Sequence, residues 1–494
     1  MTFPILLDPR APEPLQYQLC RELRAAILGG RLARGQRLPS SRSVAETLAI
    51  SRTTVVLSYE QLVSEGYLEA AHGSGTFVCR QLPEEFLAAA RRAGTGPVRQ
   101  APPPARWSRL GTRLLDLEIP PPDPASGARW RFNQIYPSQD SFPVETWRRL
   151  LARHCQRSGP ALGDDAPEST GCEVLRRAIA GYLRASRGLD CQADQVLVLG
   201  SSQQGLDLVA QAWLDPGDLV AMEDPGYPGA RRTFHAHGAR ILPLPAAAQG
   251  VSLAPLAGNP ACRLVYVTPS HQFPTGTTMG LAQRLELLEG CRRSGAVLLE
   301  DDYDSEFRYG GRPLPATQGL DAQGRVLYVG TFSKVLFPAL RMGYLVAPPG
   351  WLPVLTRAYA MGHGQPPLLE QYALADFIRE GHLERHLRRL RTLYGRRREA
   401  LLSALDAELG DRVEILGEPC GMHIMVRFRT RLEDADVLRR ARAEGVALAP
   451  GSRYCLEPGP RAGFLMGFAA MDEGRIRPGV RRLARILQAP KADL

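Results

Sequence analysis

Lysine is almost missing from this 494-residue chain: of 61 Lys and Arg residues only Lys334 and Lys491 are lysine, leaving 59 arginines. Lys491 sits in a polar C-terminal tail, whereas Lys334 lies mid-chain in GTFSKVLFPALRMGY. A guanidinium stays protonated and cannot form a Schiff base, so a lysine kept in such a chain is a candidate for a required primary amine. A chance lysine is the plain alternative. Also lacking is any run of about 18 apolar residues, so no membrane span is expected. The start, MTFPILLDPR, has no basic segment leading into an apolar one, and no secretory signal is expected. The nine cysteines never pair as CxxC and are odd in number and scattered. This argues against a disulfide framework and a zinc site, so no metal is expected and a reducing cytoplasm fits.

What remains is an ordinary globular composition, 44% hydrophobic and 23% charged, in a chain long enough for two or more domains. The net charge of +10 is compatible with a nucleic-acid partner and equally with an arginine-rich solvated surface. Residues 81–130 carry proline clusters, glycine and small residues without a sustained period, and read as a linker with a short helix around Pro83 to Arg92. It separates a small domain, 1–80, from a large one, 131–494.

In the small domain Leu15, Leu19, Leu23 and Ile27 fall four apart, the stripe of a helix ending at Gly29-Gly30. A second helix follows Pro39, with Ser40 or Ser41 as N-cap and Val44 and Leu48 inward. Ser51 caps a third, in which Val55, Tyr59, Leu62 and Val63 repeat at helical spacing and Arg52, Thr53 and Thr54 stay free at the first turn. After Gly66, YLEAAHGSGTFV alternates about a Gly-Ser-Gly turn as a two-stranded wing would. Three helices and a hairpin make a winged helix-turn-helix. Seven of this domain's nine arginines lie between Arg21 and Arg52, which makes a local basic face possible although its net charge is only +2. A protein-protein module is the competing reading of the same segment.

Residues 10–79, and LPSSRSVAETLAISRTTV in particular, resemble the DNA-binding domain of the GntR family of bacterial regulators. The resemblance implies that Arg42, Arg52, Thr53 and Thr54 face the major groove of promoter DNA and that His72 and Gly73 of the wing approach the minor groove or backbone. Arginine pairs bidentately with guanine, which suits that role.

From residue 130 on, the apolar runs QVLVLG, RLVYVTP, AVLLEDD and RVLYVGTF alternate with helical patterns such as GLDLVAQAWL and AQRLELLEGCRRSG. The expected fold class is α/β, a mixed, mostly parallel sheet covered by helices, with ligands at the strand C-terminal ends. There, Ser201, Ser202 and Gln203 open a helix whose amides could hold a phosphate. Asp301, ending a strand in EDDYDSEF, could keep a cofactor's pyridine nitrogen protonated, and Tyr303 could bond a phenolic oxygen. Read alone, the four acids within the first six residues of that motif are also compatible with a solvated turn. Lys334 would supply the amine, and Thr331, Ser333 and Arg341 would bind a phosphate. HLERHLRRLRTLYGRRREALLSAL is a basic amphipathic helix with Leu383, Leu387, Leu390 and Leu401 apolar, more simply a solvated helix face than a DNA surface.

The motifs GSSQQGL, EDPGYPGARR, PSHQFPTG, EDDYDSEF and GTFSK, in that order, resemble fold-type I aminotransferases, and the whole arrangement resembles the MocR subfamily of GntR regulators. The resemblance implies a pyridoxal 5'-phosphate cofactor, with Tyr227 stacked on its ring, Asp301 on its nitrogen, Tyr303 on its phenolic oxygen and Lys334 in the internal aldimine. It implies Arg453 as the clamp for an effector carboxylate. The GABA-responsive member of the subfamily has a second effector-contacting arginine just after its PGY motif. This chain reads Tyr227-Pro228-Gly229-Ala230 there, so a different effector is expected. The asparagine that aminotransferases carry near PTG is also absent from PSHQFPTG, where His271 or Gln272 would stand in, a buried structural histidine being the equal alternative at position 271. The expected function is a cytoplasmic, bacterial, pyridoxal-phosphate-dependent transcription regulator. It would act as a head-to-tail homodimer and sense an amine or amino acid. An active aminotransferase with an accessory DNA module, and a cofactor-free scaffold, are the alternatives.

Overall fold

The structure is a computed structural model describing residues 5, 7–9, 11–71, 75–83, 106–117, 127–157, 170–247, 250–310, 314–362, 366–429, 433–456 and 463–488. The chain divides into two compact units, Met1–Arg106 and Trp107–Leu494.

The first unit has the three expected helices, Leu15–Leu28, Ser41–Leu48 and Arg52–Ser64. Ser40 caps the second by accepting from the Ser43 amide at 3.2 Å, and Ser51 caps the third by accepting from the Thr54 amide at 3.2 Å. Leu19, Leu23, Val44, Val55 and Leu62 close one core between them. The hairpin pairs Leu68–Ala71 antiparallel with Gly75–Val78, Leu68 opposite Val78. One feature not read from sequence is a third segment at the wing: the Leu38 amide bonds the Thr76 carbonyl and the Val78 amide bonds the Gln36 carbonyl.

In the second unit an eight-stranded sheet runs Val196–Leu199, Gly343–Val346, Val326–Thr331, Val297–Asp302, Cys262–Val267, Leu219–Asp224, Arg240–Ala247, Gly250–Val251. The strands from Val326–Thr331 to Arg240–Ala247 are mutually parallel. Gly343–Val346 is inverted, and Val196–Leu199, antiparallel to it, runs with the parallel set again. Alternating side chains feed two cores: Val196 and Val198 join Tyr328 and Val346 on one face, Leu197 and Leu199 join Leu327 and Val329 on the other. A smaller antiparallel sheet, ordered Val413–Leu416, His423–Phe428, Gly463–Gly467, Ala449–Pro450, follows. The basic segment is a helix, His382–Leu409, that buries Leu383, Leu387, Leu390 and Leu401.

Part of the stretch read as linker is structured. Arg109–Leu115 is a helix capped by Ser108, and Arg113 Nε donates to the Ala236 carbonyl at 2.7 Å. Leu110, Leu114 and Leu117 fall at helical spacing, a short stripe between proline clusters that the linker reading passed over, and Leu110, Leu114 and Leu115 are exposed. Of the helix expected around Pro83 to Arg92, only Pro83 falls within the described residues.

The acids of EDDYDSEF do not form a solvated turn: Glu300, Asp301, Asp302 and Asp304 are all buried, each with its own partners. Glu300 accepts from the backbone amides of Thr317 and Gln318. Asp302 Oδ2 accepts from Arg187 Nε at 2.9 Å and from the Tyr328 hydroxyl at 2.6 Å. Arg187 also donates to Ser270 Oγ and the Leu314 carbonyl. Burial opposes ionisation of Asp302, but Arg187 outweighs it and holds the carboxyl below its ordinary range. Removing one member of such a buried pair strands the other charge. Asp302→Ala should therefore destabilise the large unit by roughly 3–5 kcal/mol in urea unfolding; a loss below 1 kcal/mol would show that Arg187 finds another partner.

Candidate functional site

The C-terminal ends of the parallel strands bring the expected residues together. Leu199 leads to Ser201, Ser202 and Gln203, Asp224 to Tyr227, and Val267 to His271 and Gln272. Asp301 lies at the end of Val297–Asp302, and Thr331 ends the strand that leads to Ser333 and Lys334. Lys334 and Tyr227 line a cavity of about 1390 Å³ together with Phe273, Ile135 and Tyr136.

Lys334 Nζ donates to the Ile135 carbonyl at 2.7 Å and lies 5.4 Å from the Tyr136 ring centre. Burial lowers the pKa of its ammonium, against the charges of Asp304 and Asp301. That favours the free amine a Schiff base requires. Asp301 Oδ2 accepts from the Tyr266 hydroxyl at 2.7 Å, while its buried Oδ1 has no partner. Burial pushes this carboxyl up to about 7. An unsatisfied buried acceptor beside a primary amine fits a protonated pyridine nitrogen, so the residues present suit pyridoxal phosphate. When bound, that group supplies an aldehyde carbon for an amine and a ring that withdraws electrons from it.

The loop leading into Ser202–Trp213 is built for close approach. Ser201 caps the helix by accepting from the Gln204 amide at 3.2 Å, leaving the first-turn amides for an anion. A side chain at Gly343 would stand 3.1 Å from the Ser201–Ser202 backbone, a requirement for glycine that the sequence did not reveal. Thr331 Oγ1 accepts from the Ser333 amide at 3.1 Å, and Arg341 is exposed. Gln203 faces Tyr227, whose hydroxyl donates to its Oε1 at 3.4 Å, and bonds Thr233, so it braces the ring-stacking candidate.

The residues before PTG divide their work differently from expectation. Gln272 is tied to Glu223 and to the carbonyls of Pro225 and Phe273, which leaves its amide no role at a cofactor ring. His271 stands behind Tyr303: its Nδ1 lies 2.9 Å from Asp304 Oδ1 and 3.0 Å from the Tyr303 hydroxyl. Burial disfavours a charge on His271, but Asp304 overrides it and raises its pKa well above the ordinary value. With the single Nδ1 proton given to Asp304, Nδ1 has no lone pair for the Tyr303 hydroxyl, whose proton is left to donate elsewhere. His423 packs against His271 at 4.8 Å between ring centres, and His271, Asp304 and His423 form a buried cluster of ligand-type groups, which the sequence did not suggest.

Arg453, in the turn Gly451–Tyr454, lines the cavity. The loop is stitched to the sheet: Arg231 Nη1 donates to the Cys455 carbonyl at 2.6 Å, and the Leu456 amide donates to Asp224 Oδ1 at 2.8 Å. Sequence reasoning saw no arginine at residues 228–230, but Arg231 and Arg232, just beyond, line the same cavity.

On the small unit, Arg52 Nε lies 3.4 Å from Ser41 Oγ, joining the starts of the second and third helices. Arg52 and Thr53 are exposed, Thr54 is half-buried and bonds Ser51, and Arg42 is exposed with a loose pair to Glu46 at 3.2 Å. His72 and Gly73 lie outside the described residues.

Comparison with known proteins agrees with this geometry. Residues 137–483 match the family "Aminotransferase class I and II" and residues 15–78 match "Bacterial regulatory proteins, gntR family". The chain is 41% identical, over 97% of its length and 95% of the relative's, to the probable rhizopine catabolism regulatory protein MocR of Rhizobium meliloti. It is 34% identical, over 96% of both chains, to the pyridoxine biosynthesis transcriptional regulator PdxR of Corynebacterium glutamicum. The crystal structure of LysN, an alpha-aminoadipate aminotransferase of Thermus thermophilus, superposes with a TM-score of 0.68 at 32% identity, covering 74% of this chain and 92% of that one. The fold and site define a transcription regulator built from a gntR-type DNA-binding domain and a pyridoxal-phosphate-binding aminotransferase domain. The chain belongs to the MocR subfamily of GntR regulators.

Asp301 generates a pH-dependent prediction. Its unfolded pKa is about 4, so in cofactor-free protein the folded state holds the proton more tightly, and this stability is lost as pH rises through about 7. Stripped Asp301→Asn should gain melting temperature relative to stripped wild type between pH 5 and pH 8, while its retention of added pyridoxal phosphate on dialysis falls. An unchanged difference across that range would mean that Asp301 does not titrate there.

Proposed function

We propose that this regulator senses an amine or amino acid at Lys334 and transmits its binding to the DNA-binding unit. One observation carries the reading: the half-satisfied, buried Asp301 carboxylate and the half-buried Lys334 amine both lie at the strand ends, and Lys334 opens onto a ligand-sized cavity. An amino ligand would compete with Lys334 for the cofactor's aldehyde carbon. The Lys334 amine lies in the field of the Asp304 and Asp301 carboxylates, and Tyr303, backed by His271, would offer its proton to the cofactor's phenolic oxygen. Arg453 would take the ligand's acid group, and Ser201, Ser202, Thr331, Ser333 and Arg341 the cofactor phosphate. Binding that differs between two states of the protein shifts their populations, and with them DNA affinity.

Promoter contacts belong to Arg42, Arg52, Thr53 and Thr54, with His72 and Gly73 of the wing on the backbone or minor groove. The regulator works in the cytoplasm as a head-to-tail homodimer, the arrangement that two DNA half-sites and a shared cofactor site favour. Among the described residues no helix is long and apolar enough to cross a membrane.

The test uses duplexes selected from a random library by the wild-type protein. Arg52→Ala should weaken binding to them by about 1–3 kcal/mol. Lys334→Ala should still bind these duplexes but lose any change of affinity caused by amino compounds. Undiminished binding by Arg52→Ala, or an intact response in Lys334→Ala, would refute the corresponding half of the proposal.

A further inference from the structure

Among the described residues, the cavity above Lys334 is lined by five arginines, Arg131, Arg231, Arg232, Arg442 and Arg453, and by one carboxylate, Asp116. The cofactor's phosphate does not account for this excess, because the residues assigned to it, Ser201, Ser202, Thr331, Ser333 and Arg341, do not line the cavity. Nor does the internal bonding of the fold. Arg231 is engaged by the carbonyls of Cys455 and Arg453, but Arg232, Arg442 and Arg453 have no carboxylate partner among the described residues. These three come from separate elements: the Pro228–Ala236 helix, the last turn of the Asp434–Ala443 helix and the Gly451–Tyr454 turn.

Several uncompensated guanidiniums in one concavity focus positive potential and leave donors that a single acid group cannot satisfy. A carboxylate clamped bidentately by one guanidinium has only its outer lone pairs left, so a second guanidinium meets it singly and less favourably. An effector with one acid group, held by Arg453, would therefore give Arg232 and Arg442 on the cavity wall no bidentate partner, whereas a second anionic group would supply one. Resting on the sensor reading above, we infer that the effector is an amino compound with two acidic groups: one beside the amine and a second, carboxylate or its sulfonate or phosphonate equivalent, on the side chain. Selection is by charge, so the neutral isostere of the second group binds poorly.

The experiment compares ligand pairs that differ only in that charge, L-glutamate against L-glutamine and L-2-aminoadipate against its side-chain amide. Full-length protein loaded with pyridoxal phosphate is titrated by the cofactor's visible absorbance and by calorimetry. In at least one pair the acid should bind about tenfold or more tighter than the amide. In the Arg232→Gln/Arg442→Gln variant that ratio should fall to about one while the amide's own affinity is kept. Equal binding of acid and amide in both pairs, or a preference that survives the double substitution, overturns the inference and leaves the sensor reading intact. If no amino compound, acid, amide or simple amine, changes the absorbance, the sensor reading itself fails and the inference falls with it.

Discussion

The large unit depends on the burial of carboxylates at the end of one strand. Val297–Asp302 delivers Glu300, Asp301 and Asp302 into the protein interior, where each must be neutralised or hydrogen-bonded. Asp302 is answered by Arg187 and Tyr328, and Glu300 by Arg284 and two backbone amides. Asp301 alone keeps an oxygen with no protein partner. The flanking acids are tied to partners in the protein, and the middle one is left for a ligand. The parallel strands to either side then decide what that ligand meets, because their ends place Tyr227, His271 and Lys334 around it.

Further out the cavity changes character. Its floor is the amine, and its walls carry arginines from elements far apart in sequence. The loop with Arg453 is pinned to the sheet through Arg231 and Asp224, so a ligand that pulls on this arginine pulls on the strand end that leads to Tyr227. The small unit is simpler. Two serine caps and a leucine-valine core fix two helix starts, and Arg52 with Ser41 joins them into one polar face.

Much of this was legible in sequence for physical reasons. Period-four leucines, serine caps and a Gly-Ser-Gly turn are local signals, and the three helices and wing lie where those signals put them. The lone mid-chain lysine and the acid-ended strand marked the site because their chemistry is rare in those surroundings. What was illegible depends on tertiary packing. Leu110, Leu114 and Leu117, in and just after the short helix Arg109–Leu115, were outweighed by the proline clusters on either side. The partners of the buried acids come from residues as distant as Arg187, on Asp302, and Met422, whose backbone amide donates to Asp304. That Gln272 is used up by Glu223 while His271 backs Tyr303 is settled only by which side chain points where. The assembly of Arg232, Arg442 and Arg453 in one cavity, out of 59 arginines, is likewise beyond any reading of spacing.

The account turns on the amine of Lys334 bonding the cofactor. Borohydride reduction of the protein saturated with pyridoxal phosphate, followed by peptide mass mapping, tests this directly because the chain has only two lysines. The account predicts a phosphopyridoxyl group on the peptide containing Lys334 and none on that containing Lys491. A saturated, reduced protein with an unmodified Lys334 would contradict it.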